Sequence, residues 1–282
     1  MTTTMLLLAL FSAGSRSTST TLEACDALTG PQRARVAALS SRLHPYDCCD
    51  DTIAHCLDQA PVCPVVRRLA RQICAQVAAG KTDAEIEHAL TRRGQSVLGV
   101  SRPVAIAVDP AMCAGEAEAP VVVTVYACSR CPFCSKLVPE LHREIVEGAL
   151  RGKAKICLRL FPIKDHPGSL EGGLALQAAA RSGGFWPYIL YLYAHFDAFS
   201  VERLDASAEA AGVPLEAFAR LRGDAALREA LAASKREGLR NKVTSTPTVF
   251  IDGRRYHSEL ERSQLVDIID EVYESRVSRA RP

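Results

Sequence analysis

Neither sign of charge is in excess, and no hydrophobic run is long. Lysine and arginine total 34 against 32 acidic residues, a net charge of +2. That balance gives no basic field suited to nucleic acid and no acidic tail for a cationic partner. The N-terminal apolar run, residues 5–14 (MLLLALFSAG), falls well short of the about 20 residues that cross a bilayer, so no stable membrane span is expected. No internal repeat is visible, and outside the Ser/Thr-rich residues 15–24 no tract reads as disordered. The composition is 48% hydrophobic and 23% charged, that of a globular protein with one large domain or two modest ones.

Cysteine is plentiful. Eleven of them fit an oxidising compartment, a protein that handles thiols, or both, and the odd total leaves at least one thiol unpaired. The short apolar run fits the core of a secretory signal, with Ser12-Ala13-Gly14 as its cleavage site. No Lys or Arg precedes it; the competing reading is a buried N-terminal helix or a different start. Export to the periplasm or cell envelope is expected, with residues 1–24 as the signal segment. Cys25 sits too far from the run to read as a lipidation site.

Residues 31–94 read as helices. Pro31 suits a first helical position. A helix over about 64–79 has Val65, Leu69, Ile73 and Val77 as one buried stripe. Thr82 and Glu85 form a capping box for the next, which is predicted to end at Gly94. The pattern then fades, which sets a boundary near residue 100. Beyond it, residues 104–108 (VAIAV), 121–127 (VVVTVYA) and 154–161 (AKICLRLF) read as buried strands. A block of helices follows, punctuated by Gly183-Gly184, Ser200, Gly212, Pro214 and Asp224. Residues 248–256 read as a hairpin, and Ser258 with Glu261 as the capping box of a last helix whose stripe is Leu265, Ile268, Ile269 and Val272. This is a mixed α/β layer architecture.

Cys131-Pro132-Phe133-Cys134 follows an apolar strand and opens a helix. The spacing lets the two sulfurs form a disulfide without moving the backbone. Free N–H groups and the helix dipole favour a thiolate on the first cysteine. Cys131 is therefore the expected nucleophile and Cys134 the residue that resolves a mixed disulfide. Far along the chain Thr246-Pro247 precedes a strand, where a proline is by itself an ordinary edge residue. Arg130 either steadies the thiolate or is a solvated surface residue.

Together these motifs resemble the thioredoxin superfamily, and its DsbA-like branch in particular. The resemblance covers roughly residues 102–282 and rests on VVVTVYA, CPFC, Pro139 in the following helix, Phe161-Pro162, Phe185-Trp186-Pro187 and TPTVFIDG. It implies a thioredoxin fold (residues 101–282) with a helical insertion at about 166–240, preceded by a small cysteine-rich all-helical domain (25–100). It also implies a cis peptide at Pro247 and pairing of the Thr246 backbone with a substrate chain. No cofactor is implied. Three features depart from the pattern. Cys128 stands where many relatives have aspartate. The strand 121–126 has no carboxylate to place under the pair. Phe133 replaces the histidine of the strongly oxidising members, which predicts a milder potential.

Cys128 is read either as an auxiliary thiol able to exchange with the pair or as a buried inert cysteine. With Cys131 and Cys134 it spells part of an iron–sulfur run, but residues 137 and 138 are Leu and Val rather than the remaining ligands. Cys157 is expected to be buried and inert. His166, His195 and His257 show no partner pattern. The aromatics Phe185, Trp186, Tyr188, Tyr191 and Tyr193 are read as core of the helical block, with lining of a groove beside the pair as the alternative.

In the N-terminal segment, Cys56 and Cys63, then Cys49 and Cys74, flank a turn at residues 58–61. An antiparallel helical hairpin would pair them as two rungs. The rival reading is a second redox or metal station built from Cys48, Cys49, His44 and His55. Residues 48–94 also loosely resemble the three-helix domain of CcmH-type cytochrome c maturation factors. The expected function is disulfide exchange with protein substrates, together with an unidentified redox partner and no resident metal. The alternatives are a non-catalytic scaffold and a thiol reductant dedicated to cytochrome c maturation.

Overall fold

The computed structural model describes residues 23–98 and 102–280. The predicted signal segment lies outside the described residues except for Glu23 and Ala24, and so does the boundary near residue 100.

The first region is helical: α1 (Glu23–Asp26), α2 (Gly30–Ser40), α3 (Ile53–Leu57), α4 (Pro64–Ala78) and α5 (Asp83–Val97). Val65, Leu69, Ile73 and Val77 pack with Leu39, Ile53 and Ile86 in one core. Thr82 and Glu85 make both bonds of the predicted capping box. The helix does not stop at Gly94, because that glycine serves packing rather than termination. A Cβ there would come within 3.2 Å of the Tyr46 ring.

Three disulfides staple these helices: Cys25–Cys74, Cys48–Cys63 and Cys49–Cys56. The predicted Cys56–Cys63 and Cys49–Cys74 rungs are therefore incorrect. That prediction treated residues 49–74 as two arms of a single helical hairpin. Instead α3 is one short turn, Cys48 turns the chain with a positive φ of 61°, and the middle of α4 meets α1. The pairings also overturn a station using Cys48 and Cys49. Among the described residues no group of three or more His, Cys, Asp or Glu could hold a metal ion.

The second region is built on a five-stranded sheet. Its elements are β1 (Cys113–Gly115), β2 (Val121–Ala127), α6 (Cys134–Val146) and β3 (Ala154–Leu160). Then come α7 (Ser169–Arg181), α8 (Phe185–Ala194), α9 (Leu204–Ala210), α10 (Leu215–Arg222) and α11 (Ala225–Arg240). The chain returns through β4 (Thr248–Ile251), β5 (Arg254–Arg255) and α12 (Arg262–Ala280). Strand order is β1-β3-β2-β4-β5. Central β2 runs parallel to β3, with Ala127 opposite Leu160, and antiparallel to β4, with Tyr126 opposite Thr248. This is a thioredoxin-like α/β domain with five helices, α7 to α11, inserted between β3 and β4. The β-branched run of β2 is buried on both faces, by α6 and α12 on one and by Phe161 and Val243 on the other.

Several local expectations fail for identifiable reasons. Residues 104–108 form no strand. The Val104 N–H donates to Gly253 O at 2.9 Å, but the Ala107 N–H goes to the Glu237 carboxylate at 2.9 Å instead of continuing a ladder. Cys157 is not inert: it lies directly opposite Cys113 in the β1–β3 pair and is disulfide-bonded to it. Helix α12 starts at Arg262, four residues after Ser258. The Glu261 carboxylate accepts the N–H groups of Ser263 and Gln264, both at 3.1 Å, and does the capping itself. The Ser200 side chain caps nothing.

A buried polar network ties the stapled helices to α12. Arg93 is fully buried; it donates to Glu271 at 2.5 Å, to Gln72 at 2.9 Å and to the Tyr46 hydroxyl at 3.1 Å. Tyr46 in turn donates to Glu271. Arg68 adds contacts to Asp270 (2.6 Å) and Glu274 (2.9 Å). Each charge is paired, which such burial requires.

Candidate active site

β2 delivers the chain to the site. After Ala127 come Cys128, Ser129 and Arg130, and the backbone then turns so that the Cys131 N–H donates to Cys128 O at 3.2 Å. The Ser135 N–H donates back to Cys131 O at 3.0 Å. Cys131 thus sits in the turn leading into α6, which starts at Cys134, and Pro132 falls where no helix bond is needed. The result is asymmetric. Cys131 and Cys134 are both buried, while Phe133 between them is 70% exposed.

The two thiols are driven apart electrostatically. The Cys131 thiol is held down at about 5. The largest cause is a hydrogen bond from the Cys134 side chain. The Thr246 side chain and the backbone N–H groups of Cys134 and Phe133 add to it, against opposing burial. Cys134 is pushed well above the usual thiol value, first by burial and then by Cys131 itself. One sulfur is therefore a thiolate at neutral pH and the other keeps its proton.

The cis-proline loop comes from the far end of the sheet. The Thr246–Pro247 peptide is cis. When protonated, Cys131 Sγ donates to Thr246 O at 3.1 Å, across 115 residues of sequence. The Thr246 hydroxyl is buried with no other partner, which leaves it available to the thiolate. The pairing of Thr248 with Tyr126 on β2 brings this loop to the redox pair.

Tyr193, read from sequence as core, is part of the site's floor. It is buried, its hydroxyl donates to Cys128 O at 3.1 Å, and it also bonds the Cys134 side chain. Only its membership of an aromatic cluster in the insertion pointed to it. Burial pushes the Cys128 thiol up, and its sulfur lies 3.5 Å from His166 Nδ1, a partner the sequence did not suggest. Arg130 fits neither expectation. Its guanidinium is sandwiched 4.4 Å from the ring centres of both Phe196 and Phe199 and donates to Phe196 O at 2.7 Å. The buried carboxylate of Glu237 on α11 is engaged by Tyr126 (2.8 Å), Arg159 (3.0 Å) and Ala107.

A strand–CxxC–helix unit facing a cis-proline defines a thioredoxin-type site. The thioredoxin family model matches residues 108–271, more than half of the chain, and the chain belongs to this family. Solved structures share the fold. They include a thioredoxin-like oxidoreductase from Silicibacter pomeroyi, with TM-score 0.50 and 21% identity over 61% of this chain and 95% of that one. Wolbachia pipientis alpha-DsbA1 aligns with TM-score 0.51 and 16% identity over 60% and 93%. BdbD from Bacillus subtilis aligns with TM-score 0.52 and 14% identity over 62% and 100%. Curated relatives include the Na(+)/H(+) antiporter NhaA 3 of Salinispora tropica, 30% identical over 197 residues, and NhaA 1 of Salinispora arenicola, 27% identical over 197 residues. Each match covers 68% of this chain, and the chain spans 29% of each antiporter. Among the described residues no helix is long and apolar enough to cross a membrane.

Proposed function

We propose that the chain is a thiol–disulfide oxidoreductase that exchanges disulfides with protein substrates through Cys131 and Cys134. The single observation that carries this reading is geometric: two free, buried cysteines separated by two residues at the N-terminus of α6, with Cys131 Sγ 3.1 Å from the carbonyl of the cis Thr246–Pro247 peptide. The opposed shifts of the two thiols agree with it. The names of the structural neighbours, an oxidoreductase and a DsbA, agree with it. Ion transport belongs to the names of the antiporters, of which this chain covers a minor part, and is not included.

The chemistry balances in the reduced form. The Cys131 thiolate attacks one sulfur of a client disulfide; the client S–S bond breaks, a mixed disulfide forms and a client thiolate leaves. Cys134 then loses its proton and attacks Cys131 Sγ, releasing the second client thiolate and closing the Cys131–Cys134 disulfide. Two electrons pass to the client; the reverse sequence oxidises a client dithiol. Thr246 and Pro247 receive the client backbone beside the reacting sulfur. Cys128, packed next to the pair but with its thiol pushed up by burial, is assigned no step here. The four disulfides of the described residues support an exported, oxidising setting.

An insulin-reduction assay with Cys131→Ser as control, together with trapping of mixed disulfides by Cys134→Ser, tests the reading. Turnover lost in Cys131→Ser and covalent adducts on Cys134→Ser are expected. Equal turnover of wild type and Cys131→Ser would leave the scaffold reading in its place.

A further inference from the structure

Beside the cis-proline loop lies a pocket of about 320 Å³ to which the stapled helices contribute Arg92. Arg92 of α5 lines it together with Ser245, Pro247, Arg255, His257 and Leu260. No described acidic residue lines it. Arg92 is exposed and forms no ion pair among the described residues. Arg255 donates to Lys242 O at 2.8 Å, a neutral acceptor that leaves its charge uncompensated. Burial and then the charges of Arg255 and Arg92 hold the His257 imidazole below its ordinary value, so both guanidiniums are felt inside the pocket.

The His257 N–H donates to Ser96 Oγ of α5 at 2.9 Å, which pins the loop to the helix carrying Arg92. The carboxylates of the same loop are used elsewhere. Glu259 pairs with Lys81 at 2.8 Å, and Glu261 caps α12. The pocket borders the cis-proline loop: Pro247 on its wall directly follows Thr246, whose carbonyl lies 3.1 Å from Cys131 Sγ.

We propose that this pocket is a specificity subsite for an acidic side chain of the client polypeptide, an aspartate or glutamate within a few residues of the reacting cysteine. The inference rests on the oxidoreductase reading above. A client strand lying along Thr246 delivers its neighbouring side chains to the mouth of the pocket. Two guanidiniums without a carboxylate then select an anion. The stapled helices thereby supply part of the substrate site rather than only stability.

Two disulfide-looped peptides that differ only by Glu or Gln beside one cysteine provide the test, with the full pre-reduced protein in single-turnover mixing. Binding of their Cys→Ser analogues is measured in parallel. The Glu peptide is expected to react and bind roughly tenfold better at low salt, about the value of one charge-assisted hydrogen bond. That preference should shrink as salt rises, vanish in Arg92→Glu and survive in Arg92→Lys. Equal binding of the two Ser analogues, or a preference unchanged by Arg92→Glu, overturns the subsite. If neither disulfide peptide exchanges with the protein while the Ser analogues keep the Glu preference, the subsite stands and the redox reading falls.

Discussion

Cysteine has opposite fates in the two halves of this chain. In the stapled helices all six cysteines are joined, Cys25 to Cys74, Cys48 to Cys63 and Cys49 to Cys56. In the sheet domain Cys113 is joined to Cys157, while Cys128, Cys131 and Cys134 are free and buried. Burial alone does not separate the groups, because Cys56 and Cys74 are as enclosed as Cys131. Surroundings do. Cys131 lies just before the N-terminus of α6 and collects hydrogen bonds that favour its anion; Cys128, three residues earlier just past a strand end, is shifted the other way by burial. The same element thus gives a staple where two sulfurs face each other across packed helices, and a reagent where one sulfur meets a helix N-terminus and a cis-proline.

The largest contrast is expected from removing one sulfur of each kind. Cys131→Ser should lower disulfide exchange with a protein substrate by at least about a thousandfold, since nucleophilic exchange needs the thiolate, with little change in melting temperature. Replacing Cys25 and Cys74 by alanine should do the reverse. The staple closes a separation of 49 residues, so its loss should cost about 4 kcal/mol in denaturant unfolding, with the exchange rate retained. Loss of activity in the second variant would erase the division between staple and reagent.

A smaller effect tests the joint between the halves. Glu271→Gln leaves Arg93 buried with its closest charge partner gone, and should cost about 3 kcal/mol, read by chemical denaturation, without moving the reactivity of Cys131. The smallest expected effect is at position 133. Phe133→His should make the pair more oxidising by some tens of millivolts. The unaltered protein should poise below the about −120 mV of the strongest oxidants when equilibrated with glutathione.

The site was legible from sequence to the extent that its parts are local. β2, the CPFC turn and the TP before β4 each sit within a few residues of their structural cause, and resemblance joined the last two. What escaped depended on distant pairing. Cys157 needed Cys113 as its register partner on β1, a three-residue strand too short to announce itself. Cys74 needed Cys25, 49 residues back. Residues 104–108 had the composition of a strand, but a carboxylate from α11 took one of their amides. Tyr193 reached the site through tertiary packing that no periodicity encodes.

The ordered surroundings of Cys131 make it a thiolate where an ordinary cysteine is still protonated. Alkylation of the reduced protein with iodoacetamide across the pH range, with the modified residue identified by mass spectrometry, tests it directly. Because the folded value is depressed, the stabilisation of the thiolate is complete above the ordinary thiol range near about 8.5 and is lost as pH falls through about 5. Cys131 labelling should rise with a midpoint of about 5 and be level by neutral pH, with Cys134 protected throughout. A midpoint near that of a free thiol, or equal labelling of Cys131 and Cys134, would contradict it.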